Sequence, residues 1–168
     1  MPNDRCSQIS KSRPGCSCES ESVSIHSPGP VDNPEKVARL IYSPLHTDEK
    51  TGKVTEAAFS DAKDKGLSVQ RMAHATNTRI RTIGENKLAR DHAQGKTDRE
   101  FLGIVTGGVD SIRGLTHGNS ERAFCVYDSA LPDVPSHADV CQTTASRSEM
   151  KRARKKLRDL FSYKPFMP

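Results

Sequence analysis

The stretch from Arg122 to Cys141, RAFCVYDSALPDVPSHADVC, constrains the fold more than any other part of the chain. Phe124-Cys125-Val126-Tyr127 is an aromatic and β-branched run of the kind that fills a buried strand. Pro132 and Pro135 cannot continue a central strand and impose an extended connection. Ala138 to Cys141 then returns as a second short strand. Three carboxylates, a histidine and two thiols are crowded into this one strand, loop and strand.

The rest of the chain must supply a small core around that unit. Only 33% of the 168 residues are hydrophobic, 28% are charged and there is no Trp. Those values suit one modest domain plus solvated segments. Residues 1–33 are rich in Ser, Pro, Gly and charge without an apolar period, so a disordered tail is expected there. Cys16-Ser17-Cys18 with Cys6 lacks the paired C-x-x-C knuckles of a zinc site, and no metal is expected. The first residues carry no apolar run of signal-peptide length, which predicts a cytoplasmic protein. Five cysteines, an odd number, are then expected to be reduced thiols.

Residues 34–145 read as an α+β core. Strands are predicted at Glu35–Tyr42, Leu67–Met72, Phe101–Thr106, Arg122–Asp128 and Ala138–Cys141. Thr55–Lys63 suits a short helix or an irregular connection ending near Gly66, anchored by Phe59. Asn77–Ala93 suits a longer one through Ile80, Ile83 and Leu88, with Gly84 as a weak spot. Val109–Leu115 suits a brief helix or turn. The order does not alternate regularly, so a single mixed or antiparallel sheet of about five strands with two or three helices is expected.

Residues 146–168 carry eight Lys/Arg and two Asp/Glu, so the net charge of +5 belongs to this end. Ser146-x-x-Glu149 matches a capping box, and Met150, Ala153, Leu157, Leu160 and Phe161 fall on one helical stripe. The expectation is an amphipathic helix docking on the core. Lys151, Arg152, Arg154, Lys155, Lys156 and Arg158 form its polar side. Such a face suits phosphates or another acidic partner, and equally suits plain solvation. No run of apolar residues is long enough to span a membrane.

A polar cleft is expected from Arg39, Ser68, Arg71, Asp128, His137 and Asp139. His137, Asp139 and Ser68 are its candidate catalytic residues, because a histidine oriented by a carboxylate can act as an acid or base near neutral pH. Arg39, Arg71 and Asp128 are its candidate ligand-binding residues. Asp128-Ser129 and Ser136–Asp139 also suit capped turns, which would hold the loop in shape without chemistry. The cleft requires Arg71 to face His137.

The region from Val37 to Val140 resembles small uncharacterised bacterial proteins. The likeness lies in Arg39-Leu40-Ile41, Phe59, Leu67-Ser68-Val69-x-Arg71 and Pro135-x-His137-Ala138-Asp139. It implies no activity and directs attention to Arg71 and His137. The order of an arginine strand, a serine strand and an acid also loosely looks like that of ADP-ribosyltransferases. Those enzymes use Glu as the acid and Ser-x-Ser/Thr where this chain has Leu67-Ser68-Val69. The leading expectation is thus a small ligand- or partner-binding domain without a cofactor. An NAD-dependent ADP-ribosyltransferase-like enzyme is one alternative, and a nucleic-acid or acidic-partner module acting through the basic helix is the other.

Overall fold

A computed structural model describes Cys6 and residues 16–20, 22, 24–143 and 146–164. The strands are β1 (Lys36–Ser43), β2 (Leu67–Arg71), β3 (Glu100–Gly108), β4 (Thr116–His117), β5 (Glu121–Arg122), β6 (Phe124–Asp128), β7 (His137–Gln142) and β8 (Ser162–Lys164). The α-helices are α1 (Asn77–Ala93), α2 (Val109–Arg113) and α3 (Arg147–Leu160), with 3-10 turns at Ser17–Ser20 and Glu56–Lys63. Six strands form one antiparallel sheet in the order β6-β7-β2-β1-β3-β8, and β4 and β5 make a separate ribbon. The α+β expectation holds with one more strand in the sheet than foreseen.

The sheet has two unlike faces. Val37 and Ile41 of β1, Leu67 and Val69 of β2, Val105 of β3, Val126 of β6 and Val140 of β7 face one main core. It is closed by Phe59, Val109, Ile112, Met150, Ala153 and Leu157, supplied by the second 3-10 turn, α2 and α3. The opposite face carries a smaller apolar cluster under α1, built on Ala38, Ile80 and Ile104. The Thr76 hydroxyl caps α1 by accepting from the Arg79 N–H. Gly84 is not a weak spot: the Phe101 ring lies where its Cβ would be, so the missing side chain lets α1 approach β3. Ile80 is buried, whereas Ile83 and Leu88 are only half-buried.

Ser146 is the N-cap residue of α3, but no side-chain cap bond forms there. Glu149 instead lies 3.5 Å from Nδ1 of His117, which undoes the expected capping box. Helix α3 ends at Leu160, and β8 then pairs with β3 through Tyr163 and Val105. Among the described residues no helix is long and apolar enough to cross a membrane.

The tail expected through residue 33 falls partly on residues outside those described. Some of the described ones are docked, while Ile25 is 96% exposed. Val31 is buried in the main core, Arg71 takes the carbonyls of Gly29 and Pro30, and Glu19 pairs with Arg113 and Arg122. Two disulfides, Cys6–Cys141 and Cys16–Cys125, bind this segment to the sheet with Cα separations of 5.5 and 5.3 Å. This corrects the expectation of reduced thiols. The bridges join residues 135 and 109 positions apart, a pairing that local sequence cannot reveal. The side chain of Cys18 lies outside the described residues.

Candidate active site

Strand register decides which polar side chains meet. Across β2 and β7, Ser68 is opposite Asp139 and Gln70 is opposite His137. Successive side chains alternate between faces, so Ser68, Gln70, His137 and Asp139 share the face opposite the main core. Ser136 and Ser129 lie in the loop between β6 and β7, which the Leu131–Val134 bridge folds back on itself. The backbone of Arg71 donates to the Ser136 carbonyl, and the Ser136 hydroxyl donates to Gln70 Oε1 at 2.7 Å. These bonds seat the loop so that Ser129 lies over His137.

The result is a hydrogen-bonded chain of four side chains. Nε2 of His137 is 3.1 Å from the Ser68 hydroxyl. Its Nδ1 is 2.8 Å from the Ser129 hydroxyl and 3.1 Å from the Ser129 carbonyl. The Ser129 hydroxyl in turn donates to Oδ2 of Asp139 at 2.6 Å. A serine has one proton to give, and here it goes to a carboxylate that only accepts. Nδ1 of neutral His137 must therefore carry the ring proton, directed at two Ser129 oxygens. Nε2 is left as an acceptor for the Ser68 hydroxyl.

Burial is graded along this chain. Ser129, Asp139 and His137 are 0%, 1% and 6% exposed, while Ser68 is open to solvent. Gly66, at φ +84°, brings the backbone against Asp139, where a Cβ would lie 2.7 Å from Oδ1. The carboxylate is thus held from behind by a residue that has no side chain.

The remaining expected cleft residues are divided from this group. Arg71 lies on the main-core face and is fully enclosed. It donates to both carboxylate oxygens of Glu35 at 2.9 and 2.6 Å and to the carbonyls of Gly29 and Pro30. Asp128 lies 3.6 Å from it on the same side. Burial pushes the Glu35 carboxyl up, but hydrogen bonds from Arg71 and the Asp32 N–H, with the Arg71 charge, hold it below its usual range. Arg71 and Asp128 therefore hold the docked segment to the sheet and do not meet His137. Arg39 occupies the gap where β1 and β2 cease to pair after Ala38. Its Nε and Nη1 donate to the Ala58 and Ser68 carbonyls, and its Nη2 reaches Asp61 at 3.3 Å. It supports the backbone of Ser68, not a ligand.

Cys16, Glu19 and Cys125 place their donor atoms within 4.8 Å of one another. The two sulfurs are already bonded to each other and Glu19 is committed to two arginines, so this group does not fit a metal. On α3, Arg154 donates to Gln142 and Arg158 to Asp159, whereas Lys151, Arg152, Lys155 and Lys156 are exposed without an ion pair among the described residues.

Sequence reasoning named Ser68, His137 and Asp139 but treated Ser129 only as a turn residue. Its Asp-Ser neighbourhood signals a cap equally well, and only the loop closure reveals its place between histidine and aspartate. Ser136 was likewise treated as a turn residue, and Gln70 and Glu35 were missed. In comparisons with known proteins, no family model, curated protein or solved structure matches the chain.

Proposed function

We propose that Ser68 is the nucleophile of a small acyl-transfer or hydrolase site, with His137 as its general base. The observation that carries this reading is the graded chain Ser68–His137–Ser129–Asp139, in which only the first hydroxyl is open to solvent. As Ser68 Oγ attacks an ester or amide carbonyl, its proton passes to Nε2 of His137. The imidazolium that forms is held at Nδ1 by Ser129, and the Asp139 charge lies 3.9 Å away. The proton then passes to the leaving group, and water repeats the sequence to release the acyl chain. Asp139 and Ser129 are positioning residues in this scheme. The ADP-ribosyl-transfer alternative has less support, because Arg39 and Arg71 spend their donors within the protein.

The decisive test is labelling with a fluorophosphonate probe, read by mass spectrometry of the modified peptide. The expected result is a single adduct at Ser68, abolished in Ser68→Ala and strongly slowed in His137→Ala. An unlabelled wild-type protein, or an adduct elsewhere, removes the proposal.

A second reading rests on the four unpaired cations of α3. They favour contact with a polyanion, nucleic acid first, because no acidic group among the described residues engages them. The two disulfides also favour an oxidising compartment over the cytoplasmic location expected from the N-terminal composition.

A further inference from the structure

A groove of about 500 Å³ opens on the main-core side of the sheet, between residues 47–54, β3, β8 and the end of α3. Ile41, Val54, Phe59, Leu102, Val105 and Phe161 supply its apolar floor. Two local departures from regular structure build that floor. Opposite β1, Ile41 pairs with Gly103 and Tyr42 with Phe101, so Leu102 is an extra residue in β3. Such a bulge re-aims one side chain out of the strand's alternation, and here it delivers Leu102 to the groove. Gly103, at φ +130°, accommodates the turn in the backbone. Directly after α3, Phe161 folds back so that its ring lies 5.1 Å from that of Phe59. It fits above Gly107, where a Cβ would come within 3.1 Å of the ring. Tyr163, whose hydroxyl donates to the Leu102 carbonyl, forms a wall.

The rim is charged unequally. Arg158 is balanced by Asp159, to which it donates twice. Lys53 is exposed and its ammonium has no partner among the described residues. The groove therefore combines an apolar floor with one uncompensated cation at its mouth.

We infer that this groove binds an amphipathic monoanion with a flexible apolar body, of the chemical class of a medium-chain fatty acid. The alkyl chain lies over Leu102, Val105 and Phe161, and the carboxylate meets Lys53. The volume falls within the roughly 300–1,000 Å³ of small-molecule sites, which pair mostly apolar linings with a few orienting polar groups. An alkyl cation would face Lys53 with like charge, and a neutral lipid would leave it unused. This site lies on the opposite side of the sheet from Ser68, and the inference is independent of the acyl-transfer reading.

Calorimetry of the full chain with hexanoate, octanoate and decanoate below their micellar concentrations tests it. Affinity should tighten roughly four-fold for each added methylene, the ratio set by burying one such group, until the groove is full. Decanol and decyltrimethylammonium should bind more weakly than decanoate. Lys53→Glu, an exposed change, should weaken decanoate about three- to five-fold and leave decanol unaffected. Decanoate should also shift the NMR signals of Ile41, Val54, Leu102 and Val105 in the wild-type protein. Absence of heat and of shifts at millimolar decanoate overturns the inference, as do shifts confined to other residues. Equal affinity for decanol, with no effect of Lys53→Glu, overturns the assignment of an anion.

Discussion

Cys125 and Cys141 are directly opposed across β6 and β7, yet neither bonds to the other. Each sulfur is bridged instead to the N-terminal segment, through Cys16 and Cys6 respectively. Cys6 and Cys16 are thereby held on the face that carries Asp139 and His137, where Cys6 packs with Tyr127 and Cys141.

Closing loops of this length restricts the unfolded chain. Loss of the Cys6–Cys141 bridge in Cys6→Ser should therefore lower unfolding free energy by about 2–4 kcal/mol. Urea unfolding with and without reductant measures it. An unchanged midpoint in dithiothreitol would mean that the bridges contribute nothing to folding.

Gly66→Ala strains a left-handed residue at a cost of about 1–2 kcal/mol and presses a methyl group on Asp139. Fluorophosphonate labelling of Ser68 should fall by more than the lost stability explains, because Asp139 anchors Ser129 and through it His137. Labelling rates in folded variant and wild type, compared at the same temperature, decide the matter.

Gly84→Ala would ordinarily stabilise an exposed helix by about 1 kcal/mol. Here the new methyl overlaps the Phe101 ring, and the expected outcome is a loss of about 1–3 kcal/mol from overpacking. Thermal melts of the variant read the sign directly. Pairing it with Phe101→Leu should restore part of the loss.

His46 is held neutral. Burial, reinforced by the charges of Arg39, Lys87 and Arg99, lowers its pKa from 6.5 to about 3, and its Nδ1 accepts the Tyr42 N–H at 3.2 Å. A depressed folded value means the unfolded chain takes up the proton first. The neutral ring's contribution is complete above pH 6.5 and is lost as pH falls towards 3, by an amount on the order of 3–5 kcal/mol. Denaturation across that window should show a steeper acid loss in wild type than in His46→Phe, and an NMR titration of His46 gives the pKa itself.

The basic face of α3 makes a salt-dependent prediction. If Lys151, Arg152, Lys155 and Lys156 neutralise four phosphates of duplex DNA, log affinity should fall with log salt at a slope of about −3.6. Replacing all four by Gln should abolish the mobility shift without moving the melting temperature by more than a degree or two. A shift retained by that variant would sink the polyanion reading.

Local pattern was a sound guide wherever short-range chemistry sets the backbone. The helix from Asn77 to Ala93, the strands around Leu67, Phe124 and Ala138, and the apolar stripe of α3 were all legible in propensity and period. Ser68, His137 and Asp139 were legible as polar residues on predicted strands, and the β2–β7 register brings them together. Strand β8 was not legible, because three residues acquire strand geometry only by pairing with the free edge of β3.

Period and propensity act over a few residues, so they mark the longer strands and helices but not the short β4, β5 and β8, which exist only by pairing. Which side chains meet follows from packing between distant segments. The β2–β7 register puts Ser68 and His137 on one face, and the alternation of side chains sends Arg71 to the other. Loop closure inserts Ser129 between His137 and Asp139, and two long-range disulfides dock a segment with too little apolar surface to pack alone. Each of these depends on contacts between residues far apart in the chain, whose energies no local window contains.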